Sequence, residues 1–86
     1  MPKVSEFFGI TIYFYYRDHE PPHFHARYAE HEALIAIESL EVLRGRLPPR
    51  AQNLVMEWAI AHRPELRQAW QLARLMQPLP WIEPLQ

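Results

Sequence analysis

The chain has 86 residues, with 10 acidic and 9 basic side chains for a net charge of −1, 49% hydrophobic residues, three tryptophans and no cysteine. That length gives one domain, residues 1–86, burying about 60–65% of the surface its unfolded chain exposes. The lack of cysteine excludes disulfides and thiolate zinc sites and leaves histidine and carboxylate as the candidate metal ligands. The apolar run from Phe7 to Tyr16 is far too short to cross a bilayer, and no signal-peptide pattern is visible, so the expected compartment is the cytoplasm, with no membrane partner.

Met1 to Glu6 reads as a short lead-in. A run of aromatic and β-branched residues follows, Ile10-Thr11-Ile12-Tyr13-Phe14-Tyr15-Tyr16, which predicts a strand over about 9–16. Alternation places Ile10, Ile12, Phe14 and Tyr16 on one face and Thr11, Tyr13 and Tyr15 on the other. Pro21 and Pro22, with fixed φ and no N–H to donate, belong in a stiff connection. A second strand follows at about 23–29, and a third, Ala33-Leu34-Ile35-Ala36-Ile37, at about 33–37. Glu38-Ser39-Leu40-Glu41 predicts a turn, and a short fourth strand at about 41–44 ends at Gly45. The short connections favour an antiparallel meander.

From Leu47 the hydrophobic period changes. Pro48 and Pro49 suit a helix start, and Ala51, Leu54, Val55, Trp58, Ala59 and His62 recur at helical spacing, which predicts a helix over about 49–62. Met56 and Ile60 fall outside that stripe, on a second buried side or a partner contact. Pro64 divides this helix from a second at about 64–77, because the residue before proline is steered out of helical φ/ψ. Leu66, Ala69, Trp70, Ala73 and Met76 form the apolar stripe of the second helix, with Arg67, Gln71 and Arg74 opposite. The proline-rich tail, 78–86, is extended, with Trp81, Ile82 and Leu85 packing back on the domain. The fold class is therefore α+β: a three- to four-stranded antiparallel meander followed by two C-terminal helices packed on one face.

Charge is distributed unevenly along this frame. Residues 1–42 carry three basic and seven acidic side chains, or −4, and residues 43–86 carry six basic and three acidic, or +3. Such separation marks either solvated helix faces or a surface that meets a polyanion.

The stretch with chemical content is Asp18 to Tyr28, Asp-His-Glu-Pro-Pro-His-Phe-His-Ala-Arg-Tyr, which holds three of the five histidines. On a strand, His23, His25 and Arg27 share one face, and Phe24, Ala26 and Tyr28 share the other. Three readings fit that face. In the first, His23 and His25 bring two imidazoles to one divalent ion such as zinc, and His19, Glu20 or Asp18 completes an open three-ligand site, with His19 the first choice. In the second, His19, His23 and His25 act as general acid and base on a phosphodiester while Arg27 stabilises developing charge; neighbours at i and i+2 are about 6.5–7 Å apart, so His19 is the needed partner. In the third, Tyr13 and Tyr15 beside His23 and His25, together with Arg17, Arg27, Arg67 and Arg74, form an aromatic and basic platform for RNA, DNA or a protein. Which tyrosines lie there depends on register. The bland alternatives are core duty, expected for Phe14, Trp58 and Trp70, a structural hydrogen bond for His62 near a helix C-terminus, and a turn position for His31.

The opening Met-Pro-Lys-Val-Ser-Glu-Phe-Phe-Gly-Ile, the tract Tyr15 to Tyr28 with Asp18-His19 and Pro21-Pro22-His23-Phe24-His25, Leu47-Pro48 and Trp58 together resemble the bacterial family catalogued as domain of unknown function 4160. The resemblance implies a small cytoplasmic bacterial protein without an established activity, often encoded beside a second short protein in an arrangement reminiscent of toxin–antitoxin modules. It therefore implies a protein encoded by a neighbouring gene as partner. Around Glu38-Ser39-Leu40-Glu41 the chain lacks the glycine turn expected of the family. The leading functional expectation is an interaction component of such a two-gene module that engages nucleic acid or a protein partner through the His/Arg strand face. The competing one is a small metal- or histidine-dependent hydrolase using His19, His23, His25 and Arg27.

Overall fold

The structure, a computed structural model, describes all 86 residues. Five strands, β1 (Lys3–Phe7), β2 (Ile10–Tyr13), β3 (His23–Tyr28), β4 (His31–Ala36) and β5 (Val42–Arg46), precede two helices, α1 (Pro49–Ala61) and α2 (Arg63–Arg74). The strands form one antiparallel meander in the order β1-β2-β3-β4-β5. The α+β class and the helices follow the sequence reading, but the sheet has five strands rather than three or four.

The extra strand is β1, within the residues read as a lead-in. Its register jumps between Lys3, opposite Tyr13, and Ser5, opposite Ile12, so Val4 is a bulge. Val4 and Ser5 are consequently both buried, and the apolar–polar alternation that identifies a strand is lost over five residues. The run expected to be one strand over 9–16 is instead the second arm of a hairpin and ends at Tyr13. Its turn is Phe8-Gly9, with φ of 50° and 78°, the left-handed pair that a two-residue hairpin loop of type I′ uses. Between β4 and β5, where no glycine is available, Leu40 takes the left-handed conformation, φ 60°, and its N–H donates to the carbonyl of Ala36.

One face of the sheet carries the core. Phe7, Ile10, Ile12, Phe24, Ala26, Ala33 and Ile35 pack with Ala51, Val55, Trp58 and Ala59 of α1 and Leu66, Ala69, Trp70 and Ala73 of α2. The ring of Trp58 lies 5.3 Å from Phe7 and 6.1 Å from Phe24. His62 separates the helices and its Nδ1 meets Glu65 Oε1 at 2.8 Å, the structural role expected for it. Met76 lies beyond α2 and is exposed, so it is not part of the apolar stripe, and Ile60 is exposed as well.

The tail docks through two hydrogen bonds, from Trp58 Nε1 to the carbonyl of Glu83 (2.8 Å) and from the N–H of Ile82 to the carbonyl of Val4 (2.7 Å). The second satisfies a main-chain group of edge strand β1. Ile82 is buried and Leu85 half-buried, whereas Trp81 is exposed.

Register assigns the other face of the sheet: Tyr13, His25, Leu34 and Arg44 form one row, Thr11, Arg27, Glu32 and Arg46 the next, and His23 stands opposite Ala36. Part of this face is closed by the nine-residue connection from β2 to β3, Phe14 to Pro22. That connection is held to α2 by the N–H of Arg17, which donates to the carbonyl of Ala73 (3.4 Å), and by the ion pair of Glu20 with Arg74.

Candidate functional site

The alternation along β3 sends His23 and His25 to the same side, as the sequence requires. They do not face open solvent, however: His23 is 0% and His25 6% exposed. The connection that covers them contains a bend at Arg17, φ 55°, which brings the side chain of Asp18 over the two rings. Asp18 Oδ2 lies 2.9 Å from His23 Nε2 and 3.0 Å from His25 Nε2, and one carboxylate oxygen and one nitrogen of each ring all lie within 4.8 Å of one another. The other carboxylate oxygen of Asp18 accepts the N–H of His19 at 2.9 Å, which fixes the orientation of the group.

Proton placement in this cluster follows from hydrogen bonding. His23 Nδ1 is 2.8 Å from the carbonyl of Pro21, which can only accept, so Nδ1 carries a hydrogen. The nitrogen facing Asp18, Nε2, is then free to hold either a second proton or a cation. His25 is different: Nε2 meets Asp18, and Nδ1 is buried with no hydrogen-bond partner. The nearest carboxylate oxygen to that Nδ1 is Glu32 Oε2, 3.9 Å away.

The electrostatics favour a carboxylate and a neutral ring. For Asp18 burial opposes the charge, but the hydrogen bond from His25, that from the His19 N–H and the proximity of His23 together outweigh it and hold the carboxyl below its ordinary value. Burial is the main reason that the His25 imidazole is pushed down, reinforced by His23 and His19 and opposed by Asp18. Ionised aspartate and neutral imidazole are the forms that ligate a metal.

Aromatic side chains wall this cluster. The Tyr13 ring is stacked on His25 at 5.0 Å, Tyr15 meets His25 edge-on at 4.7 Å, and Trp70 of α2 lies 5.2 Å from His23. Register thus brings Tyr13 and Tyr15, rather than Phe14 and Tyr16, beside the histidines. Arg27, half exposed, sits over the Tyr13 ring at 5.1 Å and donates to its hydroxyl at 3.3 Å.

The remaining candidates are placed as follows. His19 stays largely exposed; its ring is 5.0 Å from that of His23 and its Nε2 is 3.6 Å from Asp18 Oδ1, so it flanks the cluster while Asp18 occupies the position expected for it. Arg17 is exposed on the bend. Arg67 forms a two-pronged pair with Glu38, at 2.7 and 2.8 Å, and Arg74 pairs with Glu20, so both ends of the basic helix face are engaged by acidic loop residues. Glu32 was not among the candidates at all; its position across from Arg27 on β4 is a matter of register, which no local pattern reveals.

Two cavities lie away from the cluster of Asp18, His23 and His25. One, of about 290 Å³, is lined by Phe8, Ile10, Tyr28, Pro48, Arg50, Ala51 and Leu54; the other, of about 340 Å³, lies beside His31 and Arg46. No helix is long and apolar enough to cross a membrane.

The whole His–Asp cluster falls within residues 9–71, and over those residues the chain matches the family described as Domain of unknown function (DUF4160). The chain belongs to the DUF4160 family. Comparison with curated proteins and with solved structures returns no match. For this DUF4160 chain, the matched segment includes the connection and the strand that build the cluster, together with Glu32, but not β1, the end of α2 or the tail.

Proposed function

We propose that this DUF4160 protein is a small metal-dependent hydrolase, with Asp18, His23 and His25 as ligands of a divalent transition metal. The observation that carries the reading is the convergence of one carboxylate oxygen and two Nε2 atoms within 4.8 Å of one another in a buried, aromatic-walled site. Two imidazoles and a carboxylate suit zinc and its neighbours, and three protein ligands leave positions for water and substrate. The Pro21 carbonyl holds the His23 ring in the orientation that presents Nε2, as an outer hydrogen bond does for a ligating histidine. A metal here would supply a nucleophile at neutral pH and polarise a bound oxygen. On this reading Arg27, half exposed over the Tyr13 ring, stabilises a negatively charged substrate, and the exposed His19 exchanges protons with solvent.

Metal analysis tests this directly. Protein dialysed against excess zinc or manganese and then freed of loose ion should retain one ion per chain, and Asp18→Ala, His23→Ala and His25→Ala should each abolish retention. Hydrolysis of bis(p-nitrophenyl) phosphate should depend on the same residues and stop with chelator. Wild-type protein that retains no ion under either condition removes the reading.

A second reading draws on the surface around the cluster. Tyr15 remains partly exposed against His25, and Arg27, Arg44 and Arg46 are exposed on the same helix-free face, an arrangement suited to a nucleic acid or an acidic partner protein. On this view the protein is the interaction component of a toxin–antitoxin-like two-gene module. RNA affinity should then fall with rising salt, and Arg27→Ala should reduce the slope by about one unit. Growth arrest on expression, relieved by the neighbouring gene product, tests the two-gene arrangement.

A further inference from the structure

His25 presents a problem in hydrogen-bond accounting. A neutral imidazole has one N–H and one lone pair. With a proton between Nε2 and Asp18, the Nδ1 atom is a bare lone pair enclosed by protein, and the Glu32 carboxylate stands off from it at 3.9 Å. With a cation bound at Nε2, the ring hydrogen has to reside on Nδ1. That buried N–H then requires an acceptor, because a donor that loses its water and gains no partner weakens the bound state.

Glu32 is in position to be that acceptor. It neighbours Ala33 and Leu34 on β4, and Leu34 is the residue paired with His25, so the side chain of Glu32 lies one row away on the same face. Its carboxylate makes no hydrogen bond; it sits 3.9 Å from His25 Nδ1 and 3.9 Å from Arg27 Nη2, between the two. About 1 Å of movement reaches hydrogen-bonding distance to Nδ1, which is within the range of a half-exposed, unpinned side chain. The β4 backbone beneath it is fixed by Gly45 of β5, where even a Cβ would come within 2.2 Å of the Glu32 carbonyl oxygen.

Resting on the metal reading above, we propose that Glu32 is the positioning residue of this centre: it accepts the Nδ1–H that ligation through Nε2 creates on His25, orienting the ring and strengthening it as a ligand. Outer-shell carboxylates of this kind typically change metal affinity about 10–100-fold.

The test is zinc affinity, measured by competition with a chromophoric chelator, on wild-type, Glu32→Ala and Glu32→Gln proteins whose circular dichroism spectra match. Alanine should weaken zinc about 10–100-fold, whereas glutamine, whose side-chain oxygen still accepts a hydrogen bond, should recover most of the loss. Long-range ¹H–¹⁵N NMR should show the His25 hydrogen on Nδ1 in the zinc-loaded wild type. Unchanged affinity in Glu32→Ala, equal losses in the two variants, or a zinc-loaded His25 protonated at Nε2 overturns the role of Glu32 while leaving the three-ligand centre intact. Failure of the wild type to bind zinc overturns the centre, and the role of Glu32 with it.

Discussion

The two sides of β3 are buried to nearly the same extent by opposite means. Phe24 and Ala26 are 0% exposed beneath two helices that supply hydrocarbon and ask nothing of geometry beyond fit. His23 and His25 are almost as completely enclosed, but under a nine-residue connection that must deliver one carboxylate oxygen to two nitrogens. The first side owes its stability to area, and the second depends on a few directional contacts. Burial therefore has different consequences on the two sides, and substitutions should separate them.

The largest effect is expected on the helix side. Phe24→Ala removes a fully buried ring in contact with Trp58 and should cost about 3–5 kcal/mol, much of the stability of a domain this small, as a fall in the urea midpoint will show. On the histidine side, Asp18→Ala leaves the Nε2 atoms of two buried imidazoles without a partner, at about 1–3 kcal/mol for each unpartnered group. It should also abolish zinc retention, which Phe24→Ala, in whatever fraction remains folded, should not. A variant Asp18→Ala that unfolds at the wild-type midpoint would mean that the carboxylate contributes nothing to closing this side.

Gly45→Ala probes the strand beneath Glu32. A φ of 71° costs a non-glycine residue about 1–2 kcal/mol, and the added Cβ also presses on the Glu32 carbonyl. The expected result is lower stability with the three ligands undisturbed, so zinc stoichiometry should hold at one ion per chain.

The smallest effect is a dependence on pH, to which the histidine side contributes through His25 and Asp18. His25 is depressed from an ordinary 6.5 and Asp18 from 3.8. In both cases the unfolded chain takes up the proton first as pH falls, so stability is fully present above the ordinary value and is lost below it. Urea midpoints should decline in two windows, one beginning near pH 6.5 and one near 3.8. In Asp18→Asn the lower window should shrink. Midpoints that are flat from pH 7.5 to 5 would show that His25 is not held neutral in the folded protein.

How far the sequence alone reaches is clearest in these same elements. Local period and composition determined the class, the two helices, the proline break between them, and the fact that His23, His25 and Arg27 share a side, because a strand alternates whatever it pairs with. Pattern failed at β1, where the bulge at Val4 places two successive residues inside; it located the β4–β5 turn at Glu38 to Glu41 but not its backbone, in which Leu40 adopts a conformation usually left to glycine. Tertiary structure alone decided that Asp18 closes over the rings while His19 points outward, that Arg67 and Arg74 are paired with loop carboxylates, and that Glu32 stands beside His25. Those outcomes depend on the path of a connection without a period of its own and on register between strands, and both are fixed only when the whole sheet and α2 are assembled around them.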